Sequence, residues 1–87
     1  MSKVEIYSSM FCGYCHRAKQ LLKQRGIAFT EIDVGCDDKR RAEMIQRAGG
    51  RRSVPQIFID DRLVGGCEEL YALDRQGGLA PLGGPAA

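Results

Sequence analysis

Short apolar runs alternate along this chain with longer amphipathic stretches, and the two periods separate strands from helices. Val4–Tyr7 is a compact β-rich run and predicts a first strand. Tyr14, Ala18, Leu21 and Leu22 then recur at helical spacing, with His16, Arg17, Lys19, Gln20 and Lys23 between them. Gly26 suits the end of that helix. Ile27–Val34 alternates imperfectly through Ile27, Phe29, Ile32 and Val34, predicting a second strand. A helix follows over Asp37–Ala48, with early acids at its positive end, Ala42, Ile45 and Ala48 as its apolar face, and Gly49-Gly50 as its stop. Gln56–Ile59 predicts a third strand, Asp60-Asp61 a turn, and Arg62–Val64 a returning fourth strand that Gly65-Gly66 breaks. Glu68–Arg75 predicts a last helix with Leu70 and Leu73 inward. Residues 77–87 are rich in Gly, Pro and Ala and are expected to form a frayed tail.

The predicted order is therefore β-α-β-α-β-β-α. Its opening βαβ unit must be parallel and right-handed, and the later hairpin must join the same sheet antiparallel to the first strand. Helices then cover both faces. The expectation is an α/β, thioredoxin-like fold, a four-stranded mixed sheet flanked by three helices. The 87 residues make one compact domain over 1–87, with a modest core. Function is thus expected on a surface shelf near an element terminus. A net charge of +2 is too weak to point to nucleic acid. The basic clusters Lys39–Arg41 and Arg51–Arg52 read first as solvated surface. No segment approaches the roughly 18 apolar residues that span a bilayer. The N-terminal residues carry no apolar run of signal-peptide length, so a cytoplasmic location is expected.

In a reducing compartment, four cysteines point to catalysis or metal binding before structural disulfides. Cys12 and Cys15 form a Cys-x-x-Cys at the junction of the first strand and helix. A cysteine at a helix start meets unpaired N–H groups and the positive end of the macrodipole, which favour its thiolate. Arg17 and Lys19 lie within two turns and add positive potential if they point that way. Cys15, three residues on, shares the helical face and can reach the Cys12 sulfur. The pair therefore predicts thiol–disulfide exchange, with Cys12 as nucleophile and Cys15 as resolving thiol. Half of a zinc site is the competing reading. It lacks a second pair, because Cys36 and Cys67 stand alone beside a single histidine. Two small buried hydrophobes is the other, and the glycine between them and the basic surroundings argue against it.

Three segments in order, Cys12-Gly13-Tyr14-Cys15, Ser53–Ile59 and Gly65–Leu70, resemble a dithiol glutaredoxin, most closely the bacterial glutaredoxin 3 type. The match runs from Val4 to about Leu82. The resemblance implies a glutathione site made of Tyr14, Ser53, Val54, Pro55, Gly66, Cys67 and Glu68. Pro55 would be cis and face the cysteines, with Val54 pairing by backbone to the tripeptide. Cys67 and Glu68 would offer helix-terminal N–H groups to the γ-glutamyl carboxylate, and Glu68 or Glu69 would meet its ammonium. Arg51 or Arg52 would meet the glycyl carboxylate. Cys67 is read as a packing residue beside the pocket, and Cys36 is assigned no role. Four positions depart from the family pattern. Gly13 replaces the usual proline, Ser9 a lysine, Ser53 a threonine, and Glu68-Glu69 a pair of aspartates.

The implied enzyme is a glutathione–disulfide oxidoreductase acting on protein–glutathione mixed disulfides and protein disulfides. Glutathione is its co-substrate, with no metal or tightly bound cofactor. A monomer is expected, without membrane or nucleic-acid partners. Gly13 keeps one alternative open: a [2Fe-2S] cluster held between two chains by Cys12 thiolates and glutathione. A thioredoxin-type reductase is the other rival. The lack of tryptophan and the Gly66-Cys67-Glu68 segment weigh against it.

Overall fold

The computed structural model describes residues 3–79. Its elements run β1 (Val4–Ser8), α1 (Gly13–Gln24), β2 (Thr30–Asp33), α2 (Asp38–Arg47), β3 (Gln56–Ile59), β4 (Arg62–Gly65) and α3 (Cys67–Arg75). The strands form one sheet in the order β2-β1-β3-β4. β1 is parallel to β2 and antiparallel to β3, which is antiparallel to β4. This is the mixed four-stranded sheet that the element order predicts, with helices on both faces.

Strand alternation divides the core in two. Val4, Ile6 and Ile57 point to α1 and α3, where Ala18, Leu21, Leu22, Cys67 and Leu70 meet them. Tyr7 and Phe58 point the other way, to Val34, Met44 and Ala48 around α2, and their rings meet edge to face at 5.7 Å. β1 is central and buried along its whole length, whereas β2 is an edge strand with three of its four residues exposed. β2 is shorter than the predicted Ile27–Val34 run: Ile27 and Val34 are buried at either side of it, and Val34 marks its end with an N–H bond to the Ser8 carbonyl at 2.9 Å.

The helix ends are set locally. Asp37 caps α2 by accepting the Arg40 N–H at 3.0 Å. At the far end of each helix a glycine in the left-handed region, Gly26, Gly49 or Gly77, lets the following N–H turn back onto the last turn. Those bonds are Ile27 to Leu22, Gly50 to Ile45 and Gly78 to Leu73, at 2.8–2.9 Å. Two sequence expectations need correction. The inward face of α2 is Met44 and Ala48 with Ile45 half-buried, and Ala42 is exposed. The tail does not begin at Gly77. Leu79 is fully buried in the α1–α3 core, so the chain is packed at least that far. Residues 80–87 lie outside the described residues.

Candidate active site

The parallel strand β1 delivers the chain to the start of α1, and the reversal between them is tight. The Cys12 N–H donates to the Ser9 carbonyl at 3.2 Å, and the His16 N–H donates to the Cys12 carbonyl at 3.2 Å, the first bond of the helix. Cys12 is the N-cap of α1, in extended conformation. Its Sγ accepts the Cys15 N–H at 3.3 Å, satisfying one of the orphan donors of the first turn. On its other side the Cys12 thiol donates to the Val54 carbonyl at 3.6 Å. Cys12 is half-buried, and Cys15, one turn on, is completely buried. Burial, and then the hydrogen bond to Cys12, push the Cys15 thiol up to about 12. Two cysteines three residues apart thus have unequal access to solvent and to ionisation.

The neighbouring basic side chains have partners of their own. Lys19 Nζ pairs with Glu31 Oε2 at 2.7 Å, and the Ser8 hydroxyl donates to the same oxygen at 2.6 Å. Lys19's charge favours the Cys15 thiolate. The Arg17 guanidinium stacks 5.6 Å from the centre of the Tyr71 ring, where it opposes the upward push that burial gives the Cys67 thiol.

A groove of about 280 Å³ opens beside Cys12. Tyr14 forms one wall, Ser53, Val54 and Pro55 another, and Gly66, Cys67, Glu68 and Glu69 the third. All seven positions singled out by resemblance as a glutathione site therefore face one depression. The Val54-Pro55 peptide is cis. Val54 and Pro55 enter β3, Gly66 caps α3, and the pairing of β3 with β4 brings the two segments together.

Several site contacts went unread in the sequence. Glu69 Oε1 accepts the Gly66 N–H at 2.7 Å and Arg51 Nη2 at 2.9 Å, which together hold its carboxyl below the usual range. Glu69 therefore ties the start of α3 to the loop before β3, and Arg51 is engaged by it. Arg52 is exposed and makes no ion pair among the described residues. A glycine followed three residues on by glutamate is capping-box spacing, the signal that would have found this link. Gln56, wholly buried, donates from Nε2 to the Ser53 carbonyl at 2.9 Å and to the Ser53 hydroxyl at 3.2 Å, fixing the loop ahead of Pro55. Gly65, at φ 123°, sits where a Cβ would come within 2.5 Å of Glu69 Oε1, so only glycine fits this corner. Cys36 is exposed between β2 and α2, away from the groove.

Among the described residues no three His, Cys, Asp or Glu side chains gather to hold a metal ion. No helix among them is long and apolar enough to cross a membrane.

Comparison with known proteins finds similarity over most of the chain. The glutaredoxin family model matches residues 4–64. Glutaredoxin 3 of Escherichia coli (strain K12) is 54% identical over 82 residues, covering 94% of this chain and 98% of that protein. The solution structure of glutaredoxin from Brucella melitensis superposes with a TM-score of 0.79 at 49% identity, over 92% of this chain and 86% of that one. The crystal structure of a buckwheat glutaredoxin–glutathione complex gives a TM-score of 0.82 at 31% identity, over 93% of this chain and 76% of that one.

Proposed function

The chain belongs to the glutaredoxin family of thiol–disulfide oxidoreductases, and from that premise we propose that it reduces protein–glutathione mixed disulfides and protein disulfides with glutathione as reductant. The observation that carries this reading is the groove that joins Cys12, through Val54, to the start of α3. An extended tripeptide in the groove presents backbone groups to Val54 and its γ-glutamyl carboxylate to the unpartnered N–H groups of the first turn of α3, in the region of Cys67 and Glu68. Glu68 is exposed at the groove and available to the ammonium, whereas Glu69 is committed to Gly66 and Arg51. The buckwheat complex supports a tripeptide of this kind as the ligand.

In the proposed reaction the Cys12 thiolate attacks the glutathionyl sulfur. The Cys12–glutathione bond forms, the glutathione–protein bond breaks, and the protein thiolate leaves and takes up a proton. A second glutathione thiolate attacks the same glutathionyl sulfur, releasing oxidised glutathione and the Cys12 thiolate. With a protein disulfide, Cys12 forms the mixed disulfide and Cys15 displaces the protein, leaving Cys12–Cys15 for glutathione to reduce. The division of labour follows the surroundings: Cys12 reaches solvent, and Cys15 is buried and holds its proton at neutral pH. A reducing cytoplasm suits this chemistry. The test compares Cys12→Ser with Cys15→Ser in a glutathione-coupled assay. Cys12→Ser is expected to lose all activity, and Cys15→Ser to keep most turnover of a glutathione mixed disulfide while losing protein-disulfide reduction. Retained activity in Cys12→Ser would overturn the assignment of the nucleophile.

A further inference from the structure

Among the described residues, four large apolar side chains stand in solvent, and three of them, Met10, Phe11 and Tyr14, lie within two positions of Cys12. Phe11 is 94% exposed, Met10 67% and Tyr14 59%. Tyr14 is a wall of the groove, and Met10 and Phe11 are not part of its lining. The turn that displays them is pinned. Its ends are joined by the Cys12–Ser9 backbone bond at 3.2 Å, and the His16 ring bonds to the Met10 carbonyl at 3.0 Å. A lone exposed apolar residue is ordinary on a protein surface. Two on an anchored turn directly ahead of a reactive sulfur, with neither entering the core, call for another explanation.

We propose that Met10 and Phe11 form a docking platform for the polypeptide side of the disulfide, selecting substrates with an apolar side chain next to the target cysteine. This rests on the reading of Cys12 as the attacking thiol. The chemistry supplies the occupant: the exchanged sulfur becomes bonded to Cys12 Sγ, so the chain carrying it must lie against the residues that flank Cys12. The groove holds the glutathionyl half on the Val54 and α3 side. The polypeptide half is left to cross the turn, where Met10 and Phe11 stand exposed next to Cys12 in the chain.

The test uses Cys15→Ser protein and peptides whose cysteine carries a thionitrobenzoate disulfide, so that no glutathione is needed. The Cys12 thiolate attacks the peptide sulfur, the Cys12–peptide bond forms, the peptide–thionitrobenzoate bond breaks, and the electron pair leaves on the coloured thionitrobenzoate anion. Stopped-flow rates are compared for a peptide with leucine or phenylalanine beside the cysteine, the same peptide with serine there, and the thionitrobenzoate disulfide of free cysteine. The apolar peptide is expected to react about tenfold faster than the polar one, the scale of losing one aromatic anchor. Phe11→Ser on the same background should abolish that preference and leave the free-cysteine rate within about twofold. Equal rates for the two peptides, an intact preference in Phe11→Ser, or an equal slowing of all three substrates would overturn the proposal while Cys12 remains the nucleophile. No reaction with any of the three would instead overturn the reading of Cys12 itself, and the platform with it. Sedimentation of the unmodified protein gives a further check. Concentration-dependent dimerisation abolished by Phe11→Ser would assign the turn to a second copy of this chain and remove the proposal.

Discussion

Cys12 and Cys15 differ by one helical turn in the chain and by much more in environment. The Cys15 thiol, raised by burial and by its bond to Cys12 from 9.0 to about 12, keeps a proton in the folded protein that the unfolded chain gives up above about pH 9. The folded state therefore binds the proton more tightly, and this contribution to stability is complete below pH 9 and lost as pH rises toward 12. In urea titrations of the reduced protein, the parent chain should lose stability across that window more steeply than Cys15→Ala does. Parallel curves would show that the Cys15 proton is not linked to folding. The cysteine pair was legible in the sequence because helix geometry alone puts residues three apart on one face. The Gln56–Ser53 and Glu69–Arg51 contacts were less so, since each partner reads by itself as an ordinary polar residue and the pairing depends on where its loop lies.

At the scale of elements, α2 is held to the sheet by more than its apolar stripe. Arg47 lies 4.2 Å from the centre of the Phe58 ring, bonds Glu5 at 3.0 Å and the Tyr7 hydroxyl at 2.7 Å, and reaches Asp61 on the β3–β4 turn at 3.3 Å. Arg47→Ala would leave the nearly buried Glu5 without its main partner and strip a packed cation from two rings. The expected cost is about 1–3 kcal/mol by urea unfolding, with exchange at Cys12 unchanged because α2 covers the sheet face opposite α1. An unchanged midpoint would mean that the cluster contributes nothing net. Periodicity located α2 but not its inward face. Spacing points to Ala42, Ile45 and Ala48, whereas the sheet beneath the helix selects Met44 and Ala48. β2 likewise read too long, because the alternation of buried residues continues past the ends of its ladder with β1.

For the whole molecule, the closing contact is Leu79, fully buried in the core that α1 and α3 share with the sheet, after α3 has ended. Leu79→Ala should cost about 2–5 kcal/mol, as for other large-to-small core changes, measured as the fall in unfolding free energy. A cost near that of a surface change would show the segment to be loosely seated. Composition hid this anchor, since one leucine among glycines carries no periodic signal. The order of strands and helices, the cysteine pair at a helix start and the glycine stops were determined by the sequence itself, because each rests on spacing within a few residues. The meeting of Tyr14, Val54-Pro55 and Gly66–Glu69 around one groove was decided by tertiary structure. It depends on β1 pairing with β3, a contact between segments dozens of residues apart that no local pattern encodes, which sets the Cys12 turn beside the locally legible β3–β4 hairpin.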